Sequence, residues 1–137
     1  MSGCWSPVID GRAVEKILFV DDDESLLQLY GEEWEEEGYE VILARDGQEA
    51  LPKFMKEKPD LVVMDIRMPG MTGIEAMGRI LGKNRYVPVI LNTAFPQYRE
   101  NFMAWGAEAY VVKSSDLREL KQTIREVFGK KKMHPRS

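Results

Sequence analysis

Each of four short apolar runs in this sequence leads into side chains that could take part in catalysis. These side chains are Asp21, Asp22, Asp65, Thr93 and Lys113, and the runs before them span residues 17–20, 61–64, 87–91 and 110–112. If the runs are parallel strands of one α/β sheet, their carboxyl ends meet at one edge, where such sheets bind ligands. The sequence therefore predicts a cleft that contains carboxylates, a hydroxyl and an ammonium group.

The residue types in this cleft are suited to metal-assisted phosphoryl transfer. Carboxylates brought together repel each other unless a cation neutralises them. Oxygen ligands without an accompanying His or Cys favour Mg2+, with Mn2+ as the alternative, and disfavour Zn2+. Asp65 can attack a phosphoryl group as a carboxylate nucleophile. The metal, the Lys113 ammonium and either the Thr93 hydroxyl or a nearby backbone amide would then neutralise the equatorial oxygens.

The spacing of apolar residues predicts the elements that position these side chains. Strand-like runs begin near positions 17, 40, 60, 87 and 108, and stretches of helical length separate them. This alternation is typical of βαβ units and a parallel sheet. Residues 1–15 show no sustained period and are predicted to be a flexible arm outside the fold. Residues 16–129 are predicted to form one domain, and residues 130–137 a basic tail.

The helix limits follow from apolar faces, caps and breakers. The first helix has one apolar face and is expected to stop at Gly38, and that face consists of Leu26, Leu27, Tyr30 and Trp34. Asp46 can cap the second helix, in which Pro52 predicts a local distortion. The last helix carries a clean apolar stripe that is expected to end at Gly129, formed by Leu117, Leu120, Ile124, Val127 and Phe128.

Composition excludes several classes of protein. A net charge of −4 argues against a nucleic-acid surface, and the basic residues at 130–132 and 136 fit a solvated tail. The single cysteine, Cys4, permits no intrachain disulfide and fits a reducing, cytoplasmic compartment. No apolar run approaches the ~18 residues of a membrane-spanning helix, and residues 1–12 lack the blocks of a signal peptide. We therefore expect a cytoplasmic protein without membrane insertion.

Four segments in register closely resemble the receiver domain of bacterial two-component response regulators. They are Ile17-Leu-Phe-Val-Asp-Asp-Asp-Glu24, Met64-Asp-Ile-Arg-Met-Pro-Gly-Met-Thr-Gly-Ile-Glu75, Pro88-Val-Ile-Leu-Asn-Thr-Ala94 and Gly106-Ala-Glu-Ala-Tyr-Val-Val-Lys113. The resemblance covers about residues 16–129. It implies a flavodoxin-like (βα)5 fold, a doubly wound parallel sheet with strand order 2-1-3-4-5, and a site at the switch point between strands 1 and 3.

The resemblance also implies a role for each residue of the cleft. Asp65 would be the phosphoacceptor and Asp22 the direct metal ligand, while Asp21 would hold the metal mostly through water. The backbone carbonyl of Arg67 would complete the protein ligands. Asp23, at the rim, would have no catalytic role.

A second implied feature is a switch that connects the cleft to a binding surface. The Thr93 hydroxyl would move toward the phosphoryl group while the Tyr110 ring turns inward. The donor would be a histidine kinase or a phosphotransfer protein. The signal would leave through the face formed by the fourth helix, the fifth strand and the fifth helix, which would bind a downstream protein or a second copy. The chain ends too soon after the last helix for a DNA-binding output domain, so a stand-alone regulator is expected.

The sequence departs from the family pattern at two positions near the site. Ser114 follows Lys113 where the family typically has a proline preceded by a cis peptide bond. Because a cis bond before serine costs about 2.5 to 4 kcal/mol, we expect a trans bond here, with Ser114 or Ser115 capping the last helix and Asp116 in its first turn. The bulky Phe95, two residues after Thr93, and Arg67 are expected to shield the phosphoryl group and slow its hydrolysis.

Two other functions fit part of the pattern. Asp21-Asp22-Asp23 after an apolar strand also resembles the nucleophile loop of haloacid-dehalogenase-type phosphatases, which would turn over generic phosphate esters. That reading leaves Asp65 and its loop without a role. A pseudo-receiver that binds partners without being phosphorylated is the other alternative, although every expected site position is filled.

Overall fold

The computed structural model describes residues 8–9, 12–68, 70–103 and 105–133, with side chains for 14–68, 70–103 and 105–130. Five strands form the main sheet: β1 (Lys16–Val20), β2 (Glu40–Ala44), β3 (Leu61–Met64), β4 (Val89–Thr93) and β5 (Ala109–Val112). Four α-helices accompany them: α1 (Glu24–Glu36), α2 (Gly47–Glu57), α3 (Gly73–Lys83) and α4 (Arg118–Met133). Cys4 and residues 134–137 of the basic tail lie outside the described residues.

All five strands of the main sheet are parallel and stand in the order β2-β1-β3-β4-β5. This is the predicted flavodoxin-like order 2-1-3-4-5. The strand pairing places Val20 of β1 beside Met64 of β3, and Met64 beside Leu91 of β4. The residues that follow these three positions therefore emerge together at the carboxyl edge of the sheet, as the sequence predicts.

Helices cover both faces of the sheet with separate apolar cores. On one face, α1 contributes Leu27, Tyr30 and Trp34, which pack with the stripe of α4 from Leu120 to Phe128. On the other face, α2 and α3 pack against the sheet through residues such as Phe54 and Met77. Because strand side chains alternate between faces, every strand supplies residues to both cores.

The segment between β4 and β5 departs from the predicted α-helix. It forms a 3-10 helix, η1 (Pro96–Asn101), followed by turns in which Gly106 has φ of 94°. Phe95, at the N-cap position of η1, provides no side-chain hydrogen bond to the amides of the first turn. A 3-10 helix, in which each hydrogen bond spans three residues, suits such a short stretch without an N-cap side chain.

Helix α2 begins where the sequence predicts, whereas α4 extends further than expected. Asp46 caps α2 as expected, and α2 continues through Pro52 without interruption. The expected stop at Gly129 is wrong, because α4 runs on to Met133 and Gly129 does not adopt positive φ. Residues 130–133 of the expected tail are therefore helical. In the expected arm, residues 8–9 pair antiparallel with residues 12–13.

The link from β5 to α4 confirms one expectation and corrects another. The peptide bond between Lys113 and Ser114 is trans. The helix starts later than expected, at Arg118, and Asp116 lies before it rather than in its first turn. The Arg118 amide donates a hydrogen bond of 3.0 Å to Asp116 Oδ1, while Ser114 Oγ accepts one of 3.1 Å from the Asp116 amide. Asp116, one residue before the N-cap position, thus accepts the hydrogen bond from the first helical amide that was expected to go to a serine.

Candidate functional site

The predicted acidic residues meet at the carboxyl edge of β1 and β3. The Asp65 amide donates to the Val20 carbonyl at 3.0 Å, which fixes the residue after β3 beside the end of β1. Asp21 and Asp65 are 2% and 4% exposed, whereas Asp22 is exposed. One carboxylate oxygen from each of the three lies within 4.8 Å of the others. The structure therefore brings together the three carboxylates that the sequence predicts.

Lys113 provides the positive charge in this cleft. Its Nζ lies 2.7 Å from Asp21 Oδ2 and 3.1 Å from Asp65 Oδ2. Burial alone would lower the pKa of Lys113, but its contacts with Asp21 and Asp65 raise it above the ordinary value. Burial raises the pKa of Asp21, although Lys113 and the Asp23 amide work in the opposite direction. One ammonium thus neutralises the buried carboxylates only in part.

Asp65 keeps one oxygen available for chemistry. Its Oδ2 is bound by Lys113, whereas Oδ1 is buried and has no hydrogen-bond partner among the described residues. A buried carboxylate oxygen without a partner is costly, and a bound cation would remove that cost. This unpartnered oxygen, together with the approach of the Asp21, Asp22 and Asp65 carboxylates, makes the cleft fit a hard divalent ion such as Mg2+.

Gly73 allows the backbone around Asp65 to close, a role that the sequence did not reveal. A Cβ atom at position 73 would lie 1.8 Å from the Asp65 carbonyl oxygen. The Gly73 amide also donates a hydrogen bond of 2.8 Å to the Ile66 carbonyl. The N-terminus of α3 therefore packs directly on the segment that carries Asp65. The only hint in the sequence is a glycine at the start of a helix, where Thr72 already provides the cap.

Thr93 and Tyr110, the predicted switch pair, meet at the backbone of Phe95. Thr93 is fully buried, and its Oγ1 accepts a hydrogen bond of 3.3 Å from the Phe95 amide. The Tyr110 hydroxyl donates to the Phe95 carbonyl, and its ring is 5% exposed. The Lys113 amide donates to the Thr93 carbonyl at 2.7 Å. The Tyr110 ring thus already occupies an inward position.

Arg67 and Phe95 lie next to each other, as their expected shielding role requires. The Arg67 guanidinium carbon is 4.7 Å from the centre of the Phe95 ring, within the range of a cation–π contact. Arg67 is exposed and Phe95 is half-buried. The pair links the loop after β3 to the loop after β4.

Comparison with known proteins agrees with this geometry. The family model described as response regulator receiver domain matches residues 17–125. The alkaline phosphatase synthesis transcriptional regulatory protein PhoP of Bacillus subtilis is 35% identical over 116 residues, which are 83% of this chain and 48% of PhoP. Sporulation initiation phosphotransferase F of the same organism is 34% identical over 114 residues, 82% of this chain and 92% of that protein. The chain spans about half the length of several curated relatives that it matches.

Solved structures show the same similarity. The response regulator TrrA of Thermotoga maritima, in complex with Mg2+ and BeF, has a TM-score of 0.77 at 43% identity and covers 82% of this chain and 98% of its own. TrrA in complex with histidine kinase ThkA has a TM-score of 0.76 at 43% identity, over 82% of this chain and 97% of that one. With its parallel sheet, its acidic cleft and a match over most of its length, the chain belongs to the response regulator receiver domain family and has a phosphoacceptor signalling role.

Proposed function

We propose that Asp65 is the residue that accepts the phosphoryl group, and that the chain itself catalyses this modification. The observation that carries the proposal is the buried Asp65 carboxylate, which has one oxygen held by Lys113 and one without a partner. As a bond forms between an Asp65 oxygen and phosphorus, the bond from phosphorus to the donor breaks and the donor leaves with the electron pair of that bond. The product is a mixed anhydride, the aspartyl phosphate.

The neighbouring groups have separate tasks in this reaction. Lys113, already 3.1 Å from Asp65, would bind one phosphoryl oxygen, and the Thr93 hydroxyl would bind another. Asp22 would hold the metal directly, Asp21 mostly through water, and Arg67 through its backbone carbonyl. Mg2+ bound there would neutralise the incoming charge, and Mn2+ would serve in its place.

Partners follow from the family and from the exposed surface. The complex of TrrA with histidine kinase ThkA supports a histidine kinase as the donor for this chain too, with a phosphotransfer protein as the alternative. The output face would consist of η1, β5 and α4. Arg99 of η1 lies over the Tyr110 ring at 5.5 Å, so a partner that contacts Arg99 would sense Tyr110. That partner would be a downstream protein or a second copy of the chain, not nucleic acid.

The cellular setting is proposed from the described helices and the cysteine content. None of the described helices has the length and apolar character needed to cross a bilayer. The single cysteine fits a reducing compartment, and we therefore place the protein in the cytoplasm.

The haloacid-dehalogenase-type alternative gives no role to Asp65, which lies inside the matched family region.

Phosphorylation by acetyl phosphate with magnesium tests the proposal. Intact-mass analysis should show one phosphoryl group on the wild type and none on Asp65→Asn. Asp23→Asn is the matched control, because Asp23 is exposed and asparagine can still cap α1. Equal labelling of Asp65→Asn would refute the assignment. A wild type that never becomes labelled would favour the pseudo-receiver, and steady release of phosphate from generic esters would favour a phosphatase.

A further inference from the structure

A buried polar pair joins β4 to α1 directly behind the acidic cleft. Asn92 is 3% exposed and donates from Nδ2 to the Tyr30 hydroxyl at 3.0 Å. Its neighbours in the same core are apolar, among them Phe19, whose ring stacks on Tyr30 at 5.2 Å. A buried amide side chain is costly unless it is satisfied, so an apolar residue would be the simpler choice for packing alone.

The position of Asn92 relates the pair to the reactive residues. The pairing of β3 with β4 ends at Met64 and Leu91, and one further step in this register would place Asn92 beside Asp65. Ile90 and Val63 both belong to the core on the α1 face of the sheet. Asn92 lies two residues after Ile90, and Asp65 lies two residues after Val63. Because strand side chains alternate, both project toward the same face of the sheet.

The end of β4 is held by the sheet on one side only. Asn92 and Thr93 pair with Val111 and Val112 of β5, but β3 has already ended next to them. This overhang carries the Thr93 hydroxyl, and its carbonyl accepts the Lys113 amide. The Asn92–Tyr30 hydrogen bond therefore ties this overhang to α1, which covers the same face of the sheet.

We propose that Asn92 and Tyr30 are positioning residues for phosphoryl transfer: their hydrogen bond holds the end of β4 so that Thr93 and Lys113 meet the phosphoryl group. The proposal rests on the assignment of Asp65 as the acceptor. It predicts that breaking the bond lowers the rate constant for phosphorylation at saturating magnesium. The magnesium concentration that gives half of the maximal rate should stay unchanged, because the proposed metal ligands lie in the loops after β1 and β3.

The test separates positioning from stability with a double variant. Tyr30→Phe and Asn92→Leu each leave one buried polar group unpaired, so each should lower the melting temperature. The combined variant removes both groups, and its melting temperature should return close to that of the wild type. Its phosphorylation by acetyl phosphate should nevertheless stay about fivefold slower than wild type, the rate equivalent of one ordinary hydrogen bond. Tyr39→Phe is the control, because it also removes a tyrosine hydroxyl. Tyr39 stacks on Phe128 and directly precedes β2, at the amino end of the sheet and away from the cleft.

The outcomes are distinct. A double variant that recovers both melting temperature and rate would show that the pair only stabilises the fold, and would overturn the proposal. A change in the magnesium requirement that matches the change in rate would also overturn it. Wild type and Asp65→Asn are measured in the same assay, so a failure of the Asp65 assignment would appear as unlabelled wild type or labelled Asp65→Asn.

Discussion

Removing the Lys113 ammonium should leave two buried carboxylates without their counter-ion. The substitution Lys113→Met keeps the length and apolar stem of the side chain. Breaking a buried ion pair at one partner costs about 3 to 5 kcal/mol. The Lys113 side chain is 18% exposed while those of Asp21 and Asp65 are 3% and 6% exposed, so we expect the lower end, about 3 kcal/mol. For a chain of this size that corresponds to a fall of about 10 °C in melting temperature.

Magnesium should offset much of this loss. Without Lys113, the three carboxylates carry more uncompensated charge, so a divalent cation should bind the variant more tightly than the wild type. Binding to the folded state alone stabilises by mass action, and the magnesium-induced rise in melting temperature should be larger for Lys113→Met. Thermal unfolding in EDTA and in millimolar magnesium measures both quantities.

The loss should also depend on pH in a defined direction. Lys113 lowers the pKa of Asp21 against the effect of burial, so the substitution should raise that pKa further. The folded variant then binds a proton that the unfolded chain releases near pH 4, and its stability falls as pH rises above about 4. The loss of stability of Lys113→Met relative to the wild type should therefore be smaller near pH 5 than near pH 8.

Lys130→Met is the matched control for this experiment. The Lys130 side chain is 67% exposed and its Nζ lies 3.8 Å from Glu108 Oε2, the kind of surface pair worth about 0 to 1 kcal/mol. Two results would refute the reasoning about Lys113: a stability deficit no larger than that of Lys130→Met, or the same magnesium-induced shift in melting temperature for Lys113→Met and wild type.

Three further substitutions test other contacts of the site. Phe95→Asn should shorten the lifetime of the aspartyl phosphate severalfold, because a smaller polar side chain admits the in-line water, and Arg67→Ala should have a weaker effect in the same direction. Both lifetimes are measured as the loss of the phosphoryl label over time after the donor is removed. An unchanged or longer lifetime for Phe95→Asn would contradict shielding. Gly73→Ala should cost about 3 kcal/mol in urea unfolding, because its Cβ would overlap the Asp65 carbonyl. Gly78→Ala, where a Cβ meets open space, is its control and should not destabilise; equal unfolding midpoints for the two would contradict the close approach.

The sheet and the acidic cleft could be predicted because they depend on local patterns. Each buried parallel strand is a nearly continuous apolar run, and the polar residue after it marks where the strand ends. Once Val20 and Met64 are aligned by their apolar runs, Asp21 and Asp65 must be neighbours. The cap at Asp46 was equally local, since it needs only the hydrogen bond of 2.9 Å from the Glu49 amide.

What could not be predicted depends on contacts between distant segments. Nothing near Gly73 in the sequence shows that the Asp65 carbonyl will lie against it. In the sequence Asn92 only interrupts an apolar run, and its partner Tyr30 is 62 residues away. The length of α4 was misjudged for a different reason: a glycine inside a helix costs only about 1 kcal/mol, so Gly129 does not have to end α4.

The backbone of Phe95 determines how a signal could leave the cleft. Its amide donates to Thr93 Oγ1 and its carbonyl accepts from the Tyr110 hydroxyl, so one residue contacts both members of the switch pair. The Tyr110 ring is already buried beside Phe102, at 5.8 Å between ring centres. An inward turn of that ring is therefore not available as the response to phosphorylation in this conformation. If the Thr93 hydroxyl turns toward a phosphoryl group, it must release the Phe95 amide, a bond of 3.3 Å that is easily given up. The backbone that leads into η1 would then move first, and η1 would follow it, because the Tyr110 hydroxyl contacts both the Phe95 carbonyl and the Tyr98 amide of η1.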